Sequence, residues 1–155
     1  MNKIFMHSFL LAIVYFPLTC FAGRDNGAGV DSNMNYFAID GTYSCEVYPL
    51  PQGEEEFLGM NRVGAAVLIV GGRENSKEIG LVLFSNTGQS SKGKMMPKMR
   101  LYRSSSSITS YTPVDNHLHR MYSLIAKADG ITYSVDVNSK INGMRIIVTN
   151  CHVEE

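Results

Sequence analysis

Apolar residues along this chain occur in short runs and at alternate positions, a pattern typical of β-strands. In the segment TYSCEVY, the side chains of Tyr43, Cys45 and Val47 would share one face of a strand. Residues 63–70 (VGAAVLIV) and 79–85 (IGLVLFS) are continuous apolar runs bounded by glycine or polar residues. Short, partly β-branched runs of this kind favour buried strands over helix, and no window carries a convincing helical stripe.

Two dipeptides in the last third of the chain predict tight hairpin turns. They are DG at residues 129–130 and NG at residues 142–143, the preferred sequences of two-residue hairpin loops. The first turn would place Leu124 directly opposite Val135. We therefore predict a β-hairpin at each dipeptide.

The two turns together predict a three-stranded meander with one apolar face. The second turn would place Val137 opposite Val148, and directly opposed residues of paired strands share a face. The apolar face would collect the following side chains: Leu118, Tyr122, Leu124, Ala126, Ile131, Tyr133, Val135, Val137, Ile141, Met144, Ile146 and Val148. A helix over residues 117–128 is the rival interpretation, but it produces no comparable segregation.

These segments predict an all-β fold, namely a single antiparallel β-barrel, or a sandwich, of about seven strands. The domain is expected to span residues 39–155. Cys45 lies in the first confident strand and Cys151 in the last. In an exported protein this pair is expected to form a disulfide that ties the first strand to the last.

The first 38 residues have a different character. Lys3 precedes an apolar run of about a dozen residues, and small residues follow at Cys20 and Ala22, so residues 1–22 predict a secretory signal peptide. Lipidation of Cys20 is the alternative. Residues 23–38 are glycine-rich and aperiodic and predict a flexible leader. We therefore expect a periplasmic or secreted protein with no transmembrane segment in its mature chain.

Charge is unevenly distributed, although the formal net charge is zero. Glu54, Glu55 and Glu56 are adjacent, whereas residues 79–114 contain no acid. Basic residues accumulate in and beside the long polar loop predicted for residues 86–97, and we call them the basic cluster: Lys92, Lys94, Lys98, Arg100 and Arg103. The domain as a whole is not basic, which argues against nucleic acid as the partner. We predict that the basic cluster contacts an anionic partner and that the three glutamates form a second contact patch.

The segment DNHLHRM raises the question of a metal site. A strand would direct Asp115, His117 and His119 to one side. The predicted turns place Lys140 beside His119 and put His152 roughly 20 Å away along the strand direction. Because metal ligands must converge within a few ångströms, no metal and no other cofactor is expected. A pair formed by His117 and His119 is kept as the alternative.

Other chemistries find less support in the sequence. Met95, Met96 and Met99 offer soft ligands for Cu(I), but Lys94 and Lys98 beside them oppose a cation, and methionine is also a common core-filling residue. No nucleophile elbow or phosphate-binding glycine loop is present. We therefore expect no catalytic residue and no enzymatic activity.

The sequence predicts an exported, non-catalytic binding protein. Its partner is expected to be another protein, such as an exported toxin or hydrolase, which would make it an inhibitor, an immunity protein or an envelope accessory protein. A carrier of a small ligand, or of copper or zinc, is the alternative.

Overall fold

The computed structural model describes residues 25–51, 59–118, 121–137 and 144–154. Over these residues the chain is all-β, with one 3₁₀ turn and no α-helix. The strands are β1 (Ala28–Val30), β2 (Tyr36–Ala38), β3 (Gly41–Pro51), β4 (Gly64–Arg73), β5 (Ser76–Ser85), β6 (Lys94–Met95), β7 (Met99–Arg103), β8 (Ile108–Pro113), β9 (Tyr122–Lys127), β10 (Gly130–Val137) and β11 (Met144–Val153). The number of strands predicted from the sequence is therefore too low, because strands as short as β6 leave no apolar pattern.

Nine of these strands form one large antiparallel sheet in the order β4-β3-β11-β10-β9-β8-β7-β5-β6. β4 also pairs with β5 from end to end, so the series of pairings returns to the strand from which it starts. β3 and β11, the first and last strands of this sheet along the chain, are neighbours. The Cys45–Cys151 disulfide joins them, with the two Cα atoms 4.1 Å apart. The predicted disulfide is confirmed.

Part of the predicted long loop instead runs antiparallel along β5. Ser90 forms an isolated bridge with Phe84, β6 pairs with residues 80–81, and β7 pairs with residues 76–77. We call this covering segment, residues 90–101, the seam. The prediction of a loop is wrong at Ser90 and at β6, because such short exposed pairings carry no apolar alternation.

The register of the seam changes twice. From Ser90 to Lys94 the seam advances four residues while its partner in β5 moves back three, from Phe84 to Leu81. The seam again has one residue more than β5 between β6 and β7, where Pro97 lies. Proline cannot donate to a ladder, so a break at this position is expected.

The hairpin between β9 and β10 forms at the predicted place but in a register that differs by two residues. Its loop consists of residues 128–129, and Gly130 follows with φ +124°, a conformation that side chains rarely adopt. Leu124 therefore lies opposite Tyr133 instead of Val135. Because the shift is an even number of residues, every side chain keeps its predicted face.

The ladder between β10 and β11 differs from the prediction by four residues. Val137 pairs with Met144 instead of Val148, and the predicted turn at residues 142–143 lies outside the described residues. The shift is again even, so most of the predicted apolar face is buried or packed against the core: Tyr122, Leu124, Ala126, Ile131, Tyr133, Val135, Ile146 and Val148. Met144, at one end of that face, is exposed.

The β1–β2 hairpin is built from residues that were expected to belong to a flexible leader. Ala28 and Ala38 are fully buried, and the backbone N–H of Ala38 donates to the Tyr111 hydroxyl at 3.4 Å. The hairpin therefore packs on the core of the large sheet. The expected signal peptide, residues 1–22, lies outside the described residues.

Inward-facing side chains of neighbouring strands form rows across the sheet. One row runs Tyr111, Leu124, Tyr133, Val148 and Val47 through successive ladder pairs, and all five are buried. The interior at this level is therefore a packed core.

The next row, towards the start of β9, runs Tyr122, Val135, Ile146 and Pro49, and its members are only partly buried. The core thus gives way to partly exposed apolar side chains at one end of the sheet. Within the described parts of the chain, nothing forms a helix with the length and hydropathy of a membrane span.

Candidate functional site

An apolar groove opens where the partly buried row ends the core. The groove encloses about 660 Å³. Its apolar lining comes from β5, the seam, β9, β10 and β11: Leu81, Leu83, Met96, Tyr122, Val135 and Ile146. We call this site the Tyr122 groove. It joins side chains that are far apart in sequence because the ladders bring their strands together.

One wall of the Tyr122 groove is the seam. The Ser91 N–H donates to the Leu83 carbonyl at 2.7 Å, and the Leu83 N–H donates to Ser91 Oγ at 2.9 Å. Further along, the Met96 N–H donates to the Ile79 carbonyl at 2.7 Å. These hydrogen bonds hold the lining residues of the seam against β5.

The polar lining of the Tyr122 groove is mainly cationic. Lys92 and Lys94 line it, and both are exposed. Asp136 also lines it, but its carboxylate accepts a hydrogen bond of 2.6 Å from Arg145 Nε. That hydrogen bond is the main reason why the pKa of Arg145 is raised. The one acid that the described residues contribute to the lining is therefore paired with a cation.

The structure divides the basic cluster between two places. Lys92 and Lys94 belong to the Tyr122 groove, whereas Lys98 lies outside its lining and forms an ion pair with Glu78 at 3.5 Å. Arg100 and Arg103 lie on β7, where Arg100 donates to Asn116 Oδ1 at 3.2 Å. Two residues of the basic cluster therefore line the groove, and the other three do not. Glu54, Glu55 and Glu56 lie outside the described residues.

The predicted strand through the segment DNHLHRM is wrong in its described part. Asp115 Oδ1 accepts a hydrogen bond of 2.9 Å from the His117 N–H, and residues 116–118 form the 3₁₀ turn. A carboxylate that bonds the backbone two residues ahead favours a turn over a strand. His117 is exposed there, and His119 lies outside the described residues.

The described residues contain no group of three histidine, cysteine or acidic side chains placed to hold a metal ion. The three methionines considered for copper lie in different environments. Met99 is fully buried, Met96 packs against the core, and Met95 is 74% exposed. Their thioethers are therefore not arranged as one ligand set.

A second, smaller cleft lies beside the disulfide and is centred on Glu46. Glu46 Oε2 accepts hydrogen bonds of 2.7 Å from Asn150 Nδ2 and from the Tyr48 hydroxyl, and Arg62 forms an ion pair with Oε1 at 3.4 Å. The hydrogen bond from Asn150, followed by that from Tyr48, lowers the pKa of the Glu46 carboxyl. His152 also lines this cleft. We call these polar side chains the Glu46 cluster.

A β-bulge positions Asn150 for this contact. The ladder between β3 and β11 shifts register between Thr149 and His152, and Asn150 adopts φ +51°. Asparagine tolerates this left-handed conformation better than most residues. The bulge turns the Asn150 side chain onto Glu46 while the neighbouring Cys151 reaches Cys45.

Sequence reasoning found the strands that carry the Tyr122 groove but not the groove itself. Tyr122, Val135 and Ile146 were all predicted to lie on the apolar face. Nothing in a single strand shows that its last apolar side chain is left partly uncovered.

Comparison with protein-family models, curated proteins and solved structures finds no match for this chain.

Proposed function

We propose that the protein is an exported, non-catalytic binding protein whose Tyr122 groove takes a small apolar ligand. The observation that carries this proposal is the lining itself. Leu81, Leu83, Tyr122, Val135 and Ile146 project from four strands into one cavity of about 660 Å³. Sites for small organic ligands have volumes of about 300–1,000 Å³ and predominantly apolar walls with few polar groups.

The strand pairings support a closed β-barrel as the scaffold of this site. We infer closure because β5 pairs with β4 on one edge and with the seam on the other. Barrels of about eight strands have an interior that side chains fill or that holds one small ligand. In this protein the buried row through Tyr133 would fill one part of the interior, and the partly buried row through Tyr122 would leave room for a ligand in another part.

Export remains part of the proposal. The Cys45–Cys151 disulfide is compatible with a periplasmic or extracellular location, since disulfides persist in oxidising compartments. The apolar run within residues 1–22 supports the same interpretation.

Titration with a neutral, environment-sensitive dye, N-phenyl-1-naphthylamine, tests the proposed function. The chain contains no tryptophan, so dye emission is measured against a low protein background. We expect saturable binding at one site and its loss in Leu83→Gln. Ile69→Gln is the matched control, because Ile69 is 47% exposed on β4 and does not line the groove.

The circular dichroism spectrum of each variant establishes that it is folded. Absence of saturable dye binding to the wild type, or equal binding by folded Leu83→Gln, would overturn the proposed function.

A protein partner is the second candidate function, favoured by the exposed side chains of β7. Tyr102 is 71% exposed and Leu101 36% exposed, and Arg103 is exposed beside them. Exposed tyrosine and arginine side chains are frequent anchors of protein interfaces. In a pull-down, we expect the wild type to capture an exported toxin or hydrolase and Tyr102→Ala to fail to do so. The captured protein, once purified, should bind the purified wild type directly.

A further inference from the structure

Both cationic side chains that line the Tyr122 groove come from the same wall, the seam. Lys94 is opposite Leu81 in the ladder between β6 and β5, and Lys92 follows Ser91, which is hydrogen-bonded to Leu83. Both lysines therefore start from the wall of the groove, directly beside its apolar side chains. A lysine can lay its aliphatic stem along such a surface and keep its ammonium group in water.

The charge at this wall is positive. Among the described residues, no carboxylate forms an ion pair with Lys92 or Lys94. The acid that lines the groove, Asp136, is engaged by Arg145 through hydrogen bonds of 2.6 and 3.3 Å. A ligand with a negative group at this wall would meet two cations, and within the described part of the chain the only acid of the lining is already paired with Arg145.

We propose that the Tyr122 groove binds a single-chain amphiphile with an anionic head group, such as a fatty-acid carboxylate. The hydrocarbon chain would contact Leu83, Tyr122 and Val135, and the head group would lie between the ammonium groups of Lys92 and Lys94. This inference rests on the proposed function and adds the chemical class of the ligand.

Competition against the bound neutral dye tests this class of ligand. The probes are dodecanoate, dodecanol and dodecyltrimethylammonium, which share one chain length and differ in the charge of the head group. Each is used below the concentration at which it forms micelles. Dodecanoate is expected to bind about tenfold more tightly than dodecanol, which is about 1.4 kcal/mol, and to weaken as salt is raised.

The lysines are tested with the double variant Lys92→Gln and Lys94→Gln. We expect the preference for dodecanoate over dodecanol to fall to about twofold or less. Lys98→Gln is the matched control, because Lys98 lies on the same segment but pairs with Glu78 outside the groove.

The outcomes separate this inference from the proposed function. If dodecanol or dodecyltrimethylammonium competes as well as dodecanoate, or if the double variant keeps the preference, the inference is overturned while an apolar ligand site stands. If neither the dye nor any of the three amphiphiles binds, both fail.

Discussion

Asn150 donates a hydrogen bond of 2.7 Å to the carboxylate of Glu46, and each of these residues is the chain neighbour of one half of the disulfide. Asn150 precedes Cys151 and Glu46 follows Cys45. The covalent cross-link between β3 and β11 is therefore flanked by a polar one. The two together fix the bulge at the point where the ladder changes register.

Replacement of Asn150 should separate the contribution of its side chain from that of its backbone conformation. Asn150→Ala loses the hydrogen bond to Glu46 and forces alanine to φ +51°, so we expect a loss of about 2–3 kcal/mol in the free energy of unfolding. Asn150→Gly loses the hydrogen bond only and should cost about 1–2 kcal/mol. Urea denaturation followed by circular dichroism measures both, and equal losses would contradict the role of the bulge.

The lowered pKa of Glu46 predicts a specific loss of stability in acid. Its contribution is present above the unfolded-state pKa of about 4.3 and is lost as the pH falls through the lower folded-state pKa. Wild type should therefore be more stable than Glu46→Gln at pH 7, and the difference should shrink below pH about 4. Thermal unfolding from pH 7 to pH 3 tests this, and a difference that grows towards acid would refute the assignment.

Removal of the disulfide should lower stability substantially. The bond closes a chain segment with a sequence separation of 106 residues, and loops of this size give a stabilisation of about 2–5 kcal/mol. The double variant Cys45→Ala and Cys151→Ala should show this loss in urea. Wild type treated with a reducing agent is the control and should unfold at a similar urea concentration.

The buried ammonium of Lys77 predicts a large effect at Asp40. The Lys77 side chain is 4% exposed, and its Nζ donates to Asp40 Oδ1 at 2.7 Å. Asp40→Ala would leave a buried charge without its carboxylate, and we expect a loss of about 1–3 kcal/mol in the free energy of unfolding.

Asp129→Ala is the matched control for Asp40→Ala. Asp129 pairs with Lys127 at 2.9 Å, but both side chains of this pair are well exposed. Its removal should change the stability by less than about 1 kcal/mol. Equal losses in the two variants would show that the burial of Lys77 does not matter.

The strands of the fold were predictable wherever one face is buried. Tyr43, Cys45 and Val47 alternate with polar residues because β3 presents one side to the core, and all three are buried. The ladder between β9 and β10 shows what this pattern leaves open. A slip of two residues keeps the same face inward, so alternation alone does not distinguish the predicted register from the observed one, in which Gly130 adopts φ +124°.

The candidate site was less predictable than the fold because it depends on long-range placement. The sequence predicts Lys92 and Lys94 as contact residues of a charged loop. Their position beside Leu81 and Leu83 follows from the pairing of the seam with β5, which the sequence does not show. His117 shows the opposite case, where alternation suggested a strand and Asp115 instead stabilises a turn. In both cases the deciding contact lies outside the repeating pattern.

The seam is joined to β5 by an interrupted ladder, and this has a consequence for local opening. β4 and β5 are paired continuously from Gly64 to Arg73, whereas the seam meets β5 in short stretches separated by two register breaks. Fewer hydrogen bonds must break together when the seam detaches, so we expect its amide protons to exchange with solvent faster than those of β4. The disulfide links β3 to β11, and β4 and β5 lie between these strands and the seam. Detachment of the seam from β5 would therefore leave the disulfide-linked pair of strands intact.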